Sequence, residues 1–387
     1  MEQLKVKNFR VIFVADPHMS NKLPYSKPTQ DGLTDRFEHQ LSFWDSVRSE
    51  AEKSKVDAVI ILGDLFDKAV VDAVTLTYTI DAIVKIPCDV FILPGNHDAN
   101  IANGRFLVEA FGKMGNEHVK VIGDKDYSTI QVDLDGEILE FWPMAFKSVE
   151  RTEKELREIN SKISLQIKTP NHNYLLLHNE IKGAKNNGGE ARGGLSSRLV
   201  CQDFERVYAG HYHKMQNFGP LGNGLYVGSP MHHDFEDVGN APGFLLTNFE
   251  KGEGKEVIVV DTHIEIDLPK FYIHKSLDEP ITAKPGDYVR FELNATKVKW
   301  PKILSRAKAV CDKLMTDSQV NAFAVHVVEP HHKSRIKSDD ADDGKPIKFE
   351  NAIADYVDSE DVETNGLNHG KLKKIGLRFL NMAKELE

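Results

Sequence analysis

The chain of 387 residues has no run of about 18 apolar residues, so no membrane-spanning helix is expected. It has only three cysteines, Cys88, Cys201 and Cys311, far apart and with no pairing or CxxC pattern. Reduced thiols in a cytoplasmic protein are the expectation. No signal peptide is expected from the first residues of the sequence. Met1 to Arg10 passes straight into Val11-Ile12-Phe13-Val14, which reads as a first strand and not as a signal peptide. A basic excess is also absent: 49 Lys and Arg stand against 59 Asp and Glu, a formal net charge of −10. That balance argues against a passive DNA-coating protein. It leaves room for an enzyme on nucleic acid, because bound divalent cations change the local field.

What is present is a set of apolar runs, each ending in a polar turn. The length admits two or three domains and a sizeable core. Residues 10–16 read as a buried strand ending in Asp16-Pro17-His18, followed by a long polar segment, Met19 to Thr34, of the kind that is often functional. Phe37, Leu41, Trp44 and Val47 predict a helix from Asp35. Val56 to Leu62 predicts a second strand, ending in Gly63-Asp64-Leu65-Phe66-Asp67, and a helix is expected over Val70 to Lys85. Val90-Phe91-Ile92-Leu93 then leads into Pro94-Gly95-Asn96-His97-Asp98. Further on, Phe106 to Met114 reads as helix, Val119 to Ile122 as strand, and Asp135-Gly136 as the turn of a hairpin. Val149 to Ile167 reads as a charged amphipathic helix. Tyr174 to Leu177 ends in His178, and Val207 to Gly210 ends in His211-Tyr212-His213. Strand signals continue at Leu225 to Val227, Gly243 to Leu246 and Val257 to Val260.

Alternating strands and helices in the first half suggest βαβ units, and the strand-rich part after them fits a second sheet. Two sheets packed face to face with helices outside is the expected architecture. The character changes near Pro269. Strands at Tyr288 to Leu293 and Phe323 to Val328 around a helix at Pro301 to Met315 predict a small α+β unit, residues 269–335, after a main domain, residues 1–268. Residues 336–387 carry the acidic stretch Ser338 to Gly344 and two helical patterns. The last has a seam of Leu372, Ile375, Phe379, Met382 and Leu386, suited to docking on its own protein or on a partner's helices.

Collected, the polar residues at strand ends are Asp16, His18, Asp64, Asn96, His97, His178, His211 and His213. Five strands contribute, and ligands bind at such carboxyl ends. Each residue alone has an ordinary explanation as a cap, a turn residue or a core histidine. Together, the seven donors other than His97 exceed the needs of one four-coordinate ion. Two ions about 3.5–4 Å apart need a shared carboxylate, and Asp64 is the natural bridge. The mixed Asp, Asn and His set suits manganese, iron or zinc better than calcium or magnesium. With Asn96 as a ligand, His97 can face the substrate as general acid. Asp98 can hold the other ring nitrogen of His97, or cap the following helix.

Asp16-Pro17-His18, Gly63-Asp64-Leu65-Phe66-Asp67, Gly95-Asn96-His97-Asp98, His178 and Gly210-His211-Tyr212-His213 resemble the five motifs of the calcineurin-like metallophosphoesterases. The resemblance implies a four-layer αββα fold, usually with manganese. It implies one ion on Asp16, His18, Asp64 and His213, another on Asp64, Asn96, His178 and His211, and His97 as catalytic acid. The layout after the last motif is similar to the SbcD-type (meiotic-recombination-eleven) DNA repair nucleases, including phage versions. That implies 3′-to-5′ exonuclease and endonuclease activity, a homodimer, and an SbcC-type coiled-coil ATPase gripping the C-terminal helices. It places the chain in the cytoplasm of a prokaryotic or phage-infected cell. Asp67 departs from the pattern: cellular members commonly have His there, a phosphate-contacting imidazole.

The reaction expected is phosphodiester hydrolysis, with a metal-bridging hydroxide attacking in line and His97 protonating the leaving group. Lys22, Lys27, Lys182, Lys185 and Arg192 are the expected DNA contacts, and the Gly183 to Gly194 stretch reads as a possible gate. The competing readings are a small-molecule phosphodiesterase or phosphatase of the same fold and a non-catalytic scaffold.

Overall fold

Alternate residues of the central strands enter two different apolar cores, and this alternation generates the layers. In the computed structural model, residues 4–29, 31–100, 105–123, 129–165, 171–186, 189–294 and 300–326 are described. Val11, Phe13, Ala58, Ile60, Leu62, Phe91 and Leu93 face a core shared with Val132, Leu134, Leu139, Phe141, Tyr174, Leu176 and Tyr208. Their neighbours Ile12, Val14, Val59, Ile61, Val90 and Ile92 face the opposite way, onto helix residues such as Phe37, Trp44, Val47 and Ile83. A third core joins Leu175, Leu177, Val207 and Ala209 to Leu156, Ile159, Leu199 and Val200. Strands covered on both faces read as continuous apolar runs. The result is helix, sheet, sheet, helix, the four-layer αββα sandwich.

The first sheet has six strands in the order Val257–Glu265, Gly243–Lys251, Asn8–Val14, Ala58–Leu62, Asp89–Leu93, Val119–Val121. Asn8–Val14, Ala58–Leu62 and Asp89–Leu93 run parallel, with Val14 level with Ile61 and Leu62 level with Leu93. Their carboxyl ends therefore finish side by side. The second sheet has seven strands in the order Leu4–Val6, Ile130–Leu134, Glu137–Met144, His172–His178, Arg206–Gly210, Gly224–Tyr226, Gln216–Phe218. His172–His178 and Arg206–Gly210 are parallel there, with His178 level with Gly210.

The helix at Asp35–Ser54 starts where Thr34 accepts from the Phe37 amide and stops at Lys55 in the left-handed conformation. Ala73–Val84 is capped by Asp72. The hairpin turn lies at Asp135-Gly136, both at positive φ (51° and 96°), as a tight two-residue turn requires. One helix expectation fails in part. Phe106 to Met114 is a two-residue strand, Arg105–Phe106, followed by a single turn, Glu109–Gly112, with Phe111 buried.

Beyond residue 268 a three-stranded parallel sheet forms in the order Phe271–His274, Tyr288–Leu293, Asn321–His326. The Trp300–Asp317 helix covers it through Ala307 and Cys311 against Val289 and Phe291. Its strand Phe271–His274 carried no expectation, because Phe271-Tyr272-Ile273 is too short a run to stand out. Phe271 and Tyr288 also pack on Phe235, which precedes this sheet in the chain, and residues up to 327 form one compact unit. Residues 327–335, the acidic linker and the helical tail with Leu372, Ile375, Phe379, Met382 and Leu386 lie outside the described residues. Among the described residues, no helix is long and apolar enough to cross a membrane.

Candidate dimetal centre

The parallel registers deliver five chain segments to one edge of the sandwich. Asp16 follows the strand Asn8–Val14, Asp64 follows Ala58–Leu62 and Asn96 follows Asp89–Leu93, while in the other sheet His178 ends the strand His172–His178 and His211 follows its neighbour Arg206–Gly210. The turns are tight enough to force unusual backbone. Asp16 (φ 53°), His18 (φ 45°), Asp64 (φ 49°) and His211 (φ 102°) all occupy the left-handed region. Non-glycine residues are uncommon there, and each costs roughly 1–3 kcal/mol. The surroundings hold them in place. The amides of Asp16 and His18 donate to the carbonyls of Gly63 (3.3 Å) and Asp64 (3.0 Å), so the two turns stay paired beyond their strands. The His211 amide donates to both Asp16 carboxylate oxygens at 3.0 Å. Gly63 is required by space as well as by its φ of 90°, since a Cβ would lie 2.1 Å from His178 Nδ1.

Among the described residues three donor groups result: a first cluster of Asp16, His18 and His213, a second cluster of Asp64, His178 and His211, and at the exposed edge His18, Asp67 and His97, with the donor atoms in each within 4.8 Å of one another. Asp64 lies between the first two, with Oδ2 3.3 Å from His178 Nε2 and 3.8 Å from His18 Nε2. Asn96 Oδ1 is 3.0 Å from His178 Nε2 and 3.0 Å from His211 Nδ1. Across the first cluster, His18 Nε2 and His213 Nε2 are 3.2 Å apart.

The donor chemistry fits divalent cations. His178 Nδ1–H donates to the Leu62 carbonyl at 2.7 Å, which leaves Nε2 to face Asp64. His213 Nδ1–H donates to Asp237 Oδ1 at 3.0 Å, which leaves Nε2 to face His18. Hydrogen bonding through the other ring nitrogen is how metal-binding histidines are oriented. Burial, reinforced by the neighbouring His233 ring, holds His18 well below its ordinary pKa. Burial and the charge on His178 lower His211 to about 4. Both rings thus stay neutral and keep a lone pair. His178 and His213 are pushed up to about 9: burial opposes this, and Asp64 for the one and Asp237 for the other outweigh it. Cations would take the place of those protons.

His97 stands apart. It is exposed at the rim, its ring edge-on to His18 at 4.7 Å, and its backbone amide donates to Asp64 Oδ1 at 2.7 Å. The pairing of Asp98 with His97 is corrected by the structure. His97 Nδ1–H donates instead to the Asp67 carbonyl at 2.7 Å. The Asp98 carboxylate is buried and accepts from the amides of Gly95 (2.8 Å), Phe66 (3.0 Å) and Leu65 (3.3 Å). It therefore ties the second and third turns together, because three converging amides outcompete one exposed ring. Nor does it cap the short helix at Glu109–Gly112, whose residues it does not contact through these bonds. The Asp67 carboxylate sits 3.9 Å from His18 Nδ1.

The five cationic residues lie on two separate stretches of the chain. Lys22 is 3.8 Å from Asp72, and the Lys27 ammonium hydrogen-bonds to the Asn321 side chain. Lys182, Lys185 and Arg192 are exposed on a loop whose base is fixed by the buried residues Ile181, Ala184 and Leu195. Sequence reading missed Arg36, His233 and Asp237. The run Met231-His232-His233-Asp234-Phe235-Glu236-Asp237 carried a signal in its density of His and Asp, but Gly228-Ser229-Pro230 separates it from the strand signal at Leu225 to Val227, so it does not sit directly at a strand end.

A sandwich with two adjoining donor clusters and the Asp64 carboxylate between them is the fold and site of a metallophosphoesterase. The family model of the calcineurin-like phosphoesterases matches residues 9–215, more than half of the chain, and the chain belongs to that family. Solved structures similar to it include GAP50, the anchor in the inner membrane complex of Plasmodium (12% identity, 67% of this chain and 84% of that one, TM-score 0.45). A dimetal phosphatase from Danio rerio is another (10% identity, 65% and 98%, TM-score 0.38). A third is the purple acid phosphatase PPD1 from yellow lupin seeds (13% identity, 67% and 52%, TM-score 0.39).

Proposed function

We propose that this metal-dependent phosphoesterase is a DNA nuclease, with 3′-to-5′ exonuclease and endonuclease activity, acting as a homodimeric subunit of an SbcC/SbcD-type break-repair or recombination complex. One observation carries the reading. The small sheet beyond residue 268 is seated against the loop that leaves the ligand His18. Tyr25 of that loop stacks on Phe323 (5.6 Å, 13°) and meets Phe271 and Phe235 edge-on. A second sheet beside the site, joined to a lysine-bearing loop, supports a substrate larger than the ester being cut.

Asp16, His18, Asp64 and His213 would hold one cation, and Asp64, Asn96, His178 and His211 the other, with manganese the proposed metal. The pair supplies Lewis acidity and an activated water at neutral pH. The chain's own residues do the rest. Asp64, fixed by the His97 amide, keeps the two clusters in register. His97, with Nδ1–H on the Asp67 carbonyl, can present Nε2–H to the leaving oxygen. Lys22, Lys27, Lys182, Lys185 and Arg192 would attract the phosphate backbone.

A second reading is a phosphodiesterase or phosphatase of small molecules. It is favoured by the net charge of −10 and by Lys22 and Lys27 already having partners. Plasmid and end-labelled duplex, assayed with manganese beside bis(p-nitrophenyl) phosphate, separate the two. Degradation of DNA from its 3′ ends is expected. Reporter cleavage with intact DNA would overturn the nuclease assignment. Deleting residues after Ile336 should leave reporter hydrolysis intact and abolish binding of a coiled-coil ATPase. Loss of reporter hydrolysis would instead make the tail part of the catalytic fold.

A further inference from the structure

The segment Met231 to Asn240 touches the first donor cluster on one side and the small sheet on the other. On the site side, Asp237 is buried and accepts from His213 Nδ1–H (3.0 Å), the His233 amide (2.7 Å) and the Asn240 side-chain amide (3.2 Å). His233 is buried as well, and its Nε2–H donates to the Asp16 carbonyl at 3.0 Å. Its ring lies 4.9 Å from that of His18 and 5.0 Å from that of His213. Three residues of the first cluster are therefore contacted from this one segment.

On the other side stands Arg36, one of the largest fully buried side chains in the described protein. Its guanidinium donates to the carbonyls of His232 (2.5 Å), His233 (2.7 Å) and Pro24 (2.8 Å). Its carbon lies 5.0 Å from the Phe271 ring centroid and 5.7 Å from that of Tyr288. The Phe271 amide adds a bond to His232 Nδ1 at 3.1 Å. A planar fork that bonds several carbonyls while stacking on aromatic rings is geometry a lysine cannot reproduce.

We infer that Asp237 is a positioning residue for His213, and that Arg36 locks the segment carrying it to the small sheet, so that this sheet braces the Asp16–His18–His213 cluster. Among the described residues no hydrogen bond runs from the Met231 to Asn240 segment to the side chains of Asp64, His178 or His211, and His178 is oriented by the Leu62 carbonyl at the end of a neighbouring strand. The proposal concerns the binding of cations, whatever ester is cut.

The test is a manganese titration of the full-length, metal-stripped protein, with bound and free ion read by electron paramagnetic resonance. The wild type should bind two ions and give an exchange-coupled signal at two equivalents. Asp237→Asn keeps the size and an accepting oxygen but removes the charge. It should weaken one of the two sites about 10–100-fold, leave the other unchanged, and replace the coupled signal with that of a single ion at the same loading. Arg36→Lys should weaken the same site by a smaller factor. Asp237→Glu, which restores the carboxylate, should recover part of the lost affinity. Should Asp237→Asn fail to fold, Arg36→Lys decides alone. Unchanged binding in the variants, or equal weakening of both sites, would overturn the assignment.

Discussion

The two donor clusters are held from behind in different ways. The one built on Asp64, His178 and His211 is backed by the sheets: Leu62, the last residue of a parallel strand, offers its carbonyl to His178 Nδ1. The one built on Asp16, His18 and His213 is backed by side chains from a distant segment, Asp237 and His233, and through Arg36 by the small sheet. Strand-end geometry is rigid because main-chain hydrogen bonds fix it. A side-chain brace adds orientation that other parts of the chain can influence. Under the inference above, the strand-backed half is the fixed one and the half braced by side chains the adjustable one.

The largest expected effect comes from removing what both halves share. Asp64→Ala should abolish paired metal binding and reduce hydrolysis by about 10³-fold or more. Activity surviving this change would contradict the shared-carboxylate account. His97→Ala should come next, with a loss of roughly 10²–10⁴-fold on nucleotide esters and unchanged metal stoichiometry. With p-nitrophenolate, a leaving group that needs no proton, the loss should be far smaller. Equal losses on both substrates would show that His97 is not the acid.

How much of this was legible in the sequence follows the same division. The fixed half was open to reading, because an apolar run that ends in Asp, Asn or His states both the strand and its edge. Gly63-Asp64, Gly95-Asn96 and His178 all have that form. The backing of the adjustable half was not. Asp237 lies 24 residues from His213, and Arg36 reads as an ordinary helix position between Asp35 and Phe37. It is buried by distant packing, among the carbonyls of Pro24, His232 and His233 and the rings of Phe271 and Tyr288. Asp98 misled for a related reason: neighbours in sequence suggested a pair, while the turn sends Asp98 inward to three amides and His97 outward to the rim.

Smaller effects concern solution conditions. Protons compete with cations for His178 and His213, which hold theirs up to about pH 9 in the metal-free protein. Metal affinity should therefore rise as the pH goes from 6 to 9, with protons released on binding into a weak buffer. Affinity independent of pH would place the cations elsewhere. Cations bound only by the folded state also stabilise it. At 100 times Kd the gain is about 2.7 kcal/mol per site, so chelator should lower the melting temperature measurably. Smallest of all is the change expected for Lys22→Ala or Lys182→Ala. Under the nuclease reading, each should reduce the salt dependence of DNA binding by about one counterion, with little change in reporter hydrolysis.

The most direct measurement is anomalous scattering from crystals of the full-length protein soaked in manganese. Two peaks are predicted, one among Asp16, His18, Asp64 and His213 and one among Asp64, Asn96, His178 and His211, with Asp64 touching both. A single peak, or two peaks that do not share Asp64, would contradict the two-cation account.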